Sequence, residues 1–241
     1  MTVSWQVGTV AAIQTQTATA RSIDIDVTEW SGNAAGQHLD LRLTAPDGYT
    51  ATRSYSIASA GPGSRIQLAV DKLPDGEVSP YLVDDLMVGD QLEIRGPLGG
   101  WFVWRPEDVG PVQLIAGGSG IVPLMSMLRA RHDSGAVSPF RLLYSVRAPD
   151  DVIFATELGS DSPVAAGVDI DWVYTRQTPP GWPTAAGRVT ARTLEASTIP
   201  PSERPAVFVC GPTGFVEAVA DILVKLGHDA ARIKTERFGG A

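Results

Sequence analysis

Residues 52–59 read Thr-Arg-Ser-Tyr-Ser-Ile-Ala-Ser. A guanidinium can clamp a phosphate bidentately, an aromatic ring can stack on a flat cofactor, and a serine hydroxyl can hydrogen-bond a ring heteroatom. In extended backbone, Arg53, Tyr55 and Ile57 share one face, and Ser54 and Ser56 the other. The alternative is an ordinary half-buried strand with an exposed arginine. A second stretch, Gly117-Gly118-Ser119-Gly120-Ile121-Val122-Pro123, follows an apolar run ending at Ala116. Adjacent glycines between a strand and a helix let the backbone approach a ligand, and the helix start offers free N–H groups to a phosphate. Pro123 stands where the Gly-x-Gly-x-x-Gly fingerprint has its last glycine, so the stretch is either a phosphate site or a turn shaped for packing. A third, Cys210-Gly211-Pro212-Thr213-Gly214, repeats the design. Two such junctions at the C-terminal ends of parallel strands would border one crevice, where open α/β sheets bind ligands. Together they favour a dinucleotide. Cys210 either lies beside that ligand or is a small buried hydrophobe.

Two kinds of element must position these residues. From Arg21 to about Arg95 the chain alternates. Ile23, Ile25 and Val27, then Leu39, Leu41 and Leu43, then Ile66, Leu68 and Val70, then Leu92 and Ile94 are spaced two apart between polar residues. Period 2 with Pro-Asp-Gly and Gly-Pro-Gly turns between the runs predicts short antiparallel strands in a barrel or sandwich. Residues 78–87 predict one short helix over a barrel end. After about Pro106 the runs become continuous, at 112–116, 142–146, 172–174 and 207–210. They alternate with helical stretches, the pattern of parallel strands buried on both faces. One helix is expected after the Gly117–Pro123 stretch, reaching Arg131. Another spans Thr213–Gly227, its apolar residues at i, i+4, i+7, i+8 and i+11 from Phe215. The predicted fold is therefore β + α/β: an antiparallel β-barrel over 1–105 followed by a doubly wound parallel-sheet domain over 106–241. A linker is expected at 104–110.

Composition narrows the function. The 241 residues carry a formal net charge of −8 and no basic run, which argues against nucleic-acid binding. One cysteine excludes an internal disulfide, and is too few to ligate an iron–sulfur cluster. His38, His132 and His228 show no metal-ligand spacing, so no metal site is expected. Nothing reads as a signal peptide or a membrane span, and the expected location is the cytoplasm.

Arg53-x-Tyr55-Ser56, Gly76-x-x-Ser79, Gly96-Pro97-Leu98-Gly99, Gly-Gly-Ser-Gly-x-x-Pro and Cys-Gly-Pro occur in this order along nearly the whole chain. In that order they resemble the ferredoxin–NADP⁺ reductase superfamily, in a form without an attached iron–sulfur domain. The resemblance implies that FAD occupies the barrel and NADP or NAD the second domain. Arg53 would hold the flavin pyrophosphate, with Ser54 beside it. Tyr55 would stack on the isoalloxazine, and Ser56 would bond near the nitrogen that accepts hydride. Gly76, Glu77, Val78 and Ser79 would complete the pyrophosphate cradle. Gly117, Gly118, Ser119, Gly120 and Pro123 would receive the nicotinamide dinucleotide, with Gly211 and Pro212 at the second junction. Serine at 119 replaces the more usual threonine and keeps the hydroxyl. Cys210 would sit beside the nicotinamide. Glu236 would lie near Ser56 and Cys210, and Phe238 would cover the flavin, with phenylalanine in place of a terminal tyrosine and Gly239-Gly240-Ala241 beyond it. Ser56, Cys210 and Glu236 are the expected catalytic group.

The implied activity is an NAD(P)H-dependent flavoprotein reductase. It takes two electrons as hydride and passes them through FAD to a separate ferredoxin or oxygenase component. The alternatives are reduction of a small acceptor, such as free flavin or a ferric chelate, and a non-catalytic flavin-binding regulatory subunit. Arg147, Arg176 and Arg188 follow the second and third parallel strands and tip the expectation slightly towards NADPH. Asp150 and Asp151 nearby speak for NADH.

Overall fold

A computed structural model describes residues 3–239. Six antiparallel strands make the first half: β1 (Gln6–Thr15), β2 (Ala20–Asp26), β3 (His38–Thr44), β4 (Thr50–Ser56), β5 (Arg65–Asp71) and β6 (Gln91–Leu98). They lie in the order β4-β3-β6-β1-β2-β5. The sheet curls until its edges meet, where Ile57 bridges to Leu68 and the Ala58 N–H donates to the Gln67 carbonyl at 2.7 Å. Curling puts the alternating residues Ile23, Ile25, Leu39, Leu41, Ile66, Leu68, Leu92 and Ile94 into one core. A helical turn at Tyr81–Asp85 closes an end by burying Leu82 and Val83.

The alternation that marks β2, β3, β5 and β6 is absent from β1, which the sequence pattern does not reveal. A register shift between Val10 and Ala12 breaks its pairing with β2, so inward residues do not recur every second position.

Five parallel strands make the second half: β7 (Val112–Gly117), β8 (Phe140–Val146), β9 (Val168–Tyr174), β10 (Ala206–Pro212) and β11 (Ile233–Phe238). Their order is β11-β10-β7-β8-β9. Helix α1 (Ile121–Ser134) covers one face, against Leu114, Ala116, Leu142 and Tyr144. On the other face, α2 (Ala191–Ser197) and α3 (Thr213–Lys225) bring Leu194, Val216, Val219 and Leu223 onto Ile115, Leu143, Val207 and Val209. Burial on both faces explains the unbroken apolar runs. α1 runs one turn past its expected end at Arg131 and stops at Gly135, which is left-handed at φ 67°.

The connection at 104–110 is not wholly a free linker. Trp104 is buried, and its backbone N–H donates to the Ala35 carbonyl. Phe102, Trp104, Ala35 and Ala58 pack into the same apolar cluster as α1 and Phe208, so the two halves share a core.

Candidate functional site

In a doubly wound sheet the ligand crevice opens where the strand order reverses, here between β7 and β10. The cleft at that point has a volume of about 540 Å³ and is walled by both halves. From β4 come Arg53, Ser54, Tyr55 and Ser56; from the turn after β5 come Gly76, Glu77, Val78 and Ser79. Facing them are Gly117, Gly118 and Ser119, together with Arg147, Pro212 and Phe238. The motifs quoted from the barrel and from the parallel sheet thus meet across one space.

The barrel wall can hold an anion and a flat ring. Arg53 is half exposed on β4, and its guanidinium is paired with the Glu77 carboxylate. Ser79 is buried and its Oγ accepts the Leu73 N–H at 3.0 Å, which leaves its own proton free to donate. Gly76 is required by the tight turn: a Cβ there would lie 2.9 Å from Ser79 Oγ and 3.1 Å from the Leu73 carbonyl oxygen. Tyr55 is half buried against the barrel core, and burial pushes its phenol up to about 12, so it stays neutral. Ser54 turns away to donate to Asp40 Oδ1 at 2.7 Å, where Arg95 also pairs.

The parallel-sheet wall separates glycines that meet space from glycines that meet protein. Gly118 is left-handed at φ 54°, and nothing lies within 4 Å of where its Cβ would be. A Cβ on Gly120 would sit 2.1 Å from the Cys210 carbonyl oxygen, and one on Gly117 or Gly211 would strike the Phe215 ring at 2.7 or 2.8 Å. Gly120 and Gly211 therefore allow close packing rather than line the cleft. Pro123 is buried in the first turn of α1, where its missing N–H costs no helical bond. Phe215, expected as core of α3, instead lies over Gly117 and Gly211 and lines the cleft. Its place as the first aromatic after the Gly211-Pro212 turn was the available signal.

Ser56, Glu236 and Cys210 come together as a group. Ser56 Oγ donates to Glu236 Oε1 at 3.1 Å, and Glu236 is the register partner of Cys210 between β11 and β10. Burial raises the Glu236 carboxyl above its ordinary value, and the Ser56 bond opposes part of the rise. Burial, then the nearby Glu236 charge, pushes the Cys210 thiol well up. Cys210 is fully buried and does not reach the cleft surface. Glu236 lines a second, smaller cavity of about 320 Å³ with His38, Gly99 and Trp101; Ser54, Ser56 and Phe238 border both cavities. Phe238 thus stands in the wall between them. Gly240 and Ala241 lie outside the described residues.

Of the three arginines considered for the nucleotide, only Arg147 lines the cleft. Arg176 and Arg188 are exposed and do not line the cleft, although the Arg176 backbone N–H donates to the Arg147 carbonyl at 2.9 Å; Asp151 and Thr175 line the wall beside Arg147. Thr17, Thr19 and Asp71 complete the rim from the β1–β2 hairpin and β5, with Thr19 Oγ1 donating to Asp71 Oδ1 at 2.7 Å. No motif marks these three.

Two family models match the chain. Residues 16–103 match the model of an oxidoreductase FAD-binding domain, and residues 114–221 that of an oxidoreductase NAD-binding domain. A glycine betaine monooxygenase reductase subunit from Chromohalobacter salexigens is 35% identical over 208 residues, which cover 85% of this chain and 55% of the relative. The chain thus spans about half the length of that relative. An NADH-cytochrome b5 reductase 1 from Neosartorya fischeri is 30% identical over 210 residues, covering 83% of this chain and 67% of the relative. Among solved structures, the FAD/NAD-binding domain of a Vibrio cholerae nitric oxide dioxygenase superposes with a TM-score of 0.85 at 25% identity, covering 98% of this chain and 99% of that one.

Proposed function

The chain belongs to the ferredoxin reductase-like family of FAD- and NAD(P)H-dependent oxidoreductases, and from that membership we propose that it delivers electrons from a nicotinamide nucleotide to a separate oxygenase component or ferredoxin. The observation that carries the reading is the meeting of Arg53, Tyr55 and Ser56 with Gly117, Gly118 and Ser119 across one cleft. When bound, FAD supplies the exchange between a two-electron hydride donor and a one-electron acceptor.

The chain's own residues do the rest. Arg53 and the Gly76–Ser79 turn would hold the pyrophosphate, and Tyr55 and Phe238 would pack against the flavin ring. Ser56, fixed by Glu236, would offer its hydroxyl to the ring. Gly118 and Ser119 would take the nucleotide, and sharing one cleft would supply the proximity contribution. The division at 105/106 assigns one cofactor to each half. An oxygenase acceptor is supported by the name of the monooxygenase reductase subunit above, and the cytoplasm stays the proposed location.

The placement of the arginines favours NADH over the NADPH expected from sequence. Asp151 and Thr175 can bond an unphosphorylated ribose, whereas of the three arginines considered for the nucleotide only Arg147 lines the cleft to offer a cation to a 2′-phosphate. Anaerobic titration with NADH and NADPH, followed in the visible spectrum, tests the whole reading. The expected result is bleaching of a bound flavin with a higher kcat/KM for NADH, and Arg176→Ala leaving both nucleotides unchanged. Extraction should release FAD, and Arg53→Ala should weaken its retention by about 1.5–3 kcal/mol, the range for a hydrogen bond to a charged group. Extraction of FMN alone, or no bleaching by either nucleotide, would refute it.

A further inference from the structure

The pyrophosphate cradle contains a carboxylate. Glu77 lines the cleft within the Gly76–Ser79 turn, while its acidic neighbour Asp75 does not. One carboxylate oxygen of Glu77 pairs with Nη2 of Arg53, and the other accepts the Tyr49 hydroxyl at 3.0 Å. Arg53 Nη1 donates to the Thr52 carbonyl at 2.8 Å. Nη1 and Nη2 of Arg53 each hold one partner within the protein, and the partner of Nη2 stands in the same cradle as the incoming phosphates, while Nε and a second N–H on each Nη stay available to them.

We propose that Glu77 competes with the FAD pyrophosphate for Arg53 and so keeps the flavin exchangeable. The inference rests on the FAD assignment above. The Arg53–Glu77 pair is about half exposed on each side, with side-chain accessibilities of 51% and 49%. Water screens such a pair, so Arg53 can trade partners at little cost. The Glu77 backbone is part of the turn, so its carboxylate stays within reach of the cradle. Its hold by Tyr49, on the β3–β4 hairpin, keeps it turned towards Arg53. Once the pyrophosphate arrives, two like-charged groups share one cation. The repulsion lowers affinity for FAD and leaves a flavin without phosphates unaffected.

The test compares wild type with Glu77→Gln, which keeps the shape of the side chain and removes its charge. Flavin-free protein is titrated with FAD and, separately, with riboflavin, and binding is read by flavin fluorescence. The expected result is about tenfold tighter FAD binding in the variant at low salt, the scale of one like-charge contact near a surface. That gain should shrink near 1 M salt, where the screening length is about 3 Å, and riboflavin affinity should not change. FAD binding equal to or weaker than wild type overturns the inference, as does a gain shared by riboflavin or insensitive to salt. Wild-type protein that binds FAD no more tightly than riboflavin overturns the pyrophosphate reading of Arg53 instead.

Discussion

Glu236 carries a carboxyl into a place where its charge is poorly hydrated, and the protein uses one hydroxyl to hold it. Burial raises its pKa, and the hydrogen bond from Ser56 limits the rise. A carboxyl that binds its proton more tightly folded than unfolded costs nothing while both states are protonated. The cost accumulates as pH rises from the ordinary value of 4.5 through the folded value, and is complete above it. Glu236→Gln should therefore raise Tm at neutral pH and leave it unchanged near pH 4, read by thermal melts across that range. The same variant should slow flavin reduction at saturating nicotinamide about tenfold, or about 1.4 kcal/mol, because the ring-edge hydroxyl then donates to a neutral amide oxygen, a weaker anchor than a carboxylate. A variant that melts higher and also matches wild type in stopped-flow reduction would make the carboxyl a structural relic. Cys210 belongs to the same group in a lesser role. It is fully buried, and burial and the nearby Glu236 charge push its thiol pKa up, which keeps the thiol neutral and disfavours a nucleophilic thiolate.

At the level of elements, the junction of β7 with α1 shows what a glycine motif does and does not reveal. The four residues Gly117–Gly120 were legible as a strand-to-helix turn, but not which glycine faces a ligand. That distinction is made by the Cys210 carbonyl on β10 and the Phe215 ring on α3, both almost a hundred positions away. Gly118→Ala meets open space and bears only the left-handed backbone penalty of about 1–2 kcal/mol. It should stay folded and lose nicotinamide binding. Gly120→Ala drives a methyl into the β10 backbone at 2.1 Å and should cost more than 3 kcal/mol, by analogy with severe overpacking. Melting curves alongside nucleotide titrations would separate the two, and equal destabilisation would refute the division. Strands behave alike in this respect. The regular period of β3 and the unbroken apolar run of β7 could be read because burial there is set by the strand's own two faces. The bulged β1 could not, because its inward residues are chosen by a register shift against β2.

In the whole molecule, the working cleft exists only while two separately built halves hold one orientation, and beside their shared apolar core Arg129 on α1 is one means of holding it. Its Nη1 donates to the Ala58 carbonyl at 3.0 Å and to Gln67 Oε1 at 2.8 Å, both on the barrel. Its Nε and Nη2 reach the Glu157 carboxylate at 2.9 and 2.6 Å, and the guanidinium lies 5.0 Å from the centre of the Phe154 ring. Phe154 is left-handed at φ 62°, and its N–H is taken by Gln16 Oε1 at 3.0 Å, from the turn after β1. The segment after β8 is thus tied to the barrel at two points, next to Asp151 and Ile153 in the cleft wall. No motif flags Arg129, since its barrel partners are a carbonyl and an amide brought near only by the closed barrel; this part of the site was not legible in the sequence. Its side chain is only 17% exposed, so water cannot replace the lost bonds. Arg129→Ala should therefore cost about 2–4 kcal/mol, the range for truncating one partner of a largely buried, hydrogen-bonded charge pair. It should also slow flavin reduction at saturating nicotinamide, because approach of the two rings depends on the angle between the halves. FAD affinity should be spared, since Arg53 and the Gly76–Ser79 turn lie within one half. Arg129→Lys, which keeps the charge but not the fork, should recover part of the stability and less of the rate. Thermal melts, FAD titration and stopped-flow reduction on the two variants decide the matter. Loss of stability with an unchanged reduction rate would show that Arg129 holds the fold together without setting the geometry of transfer.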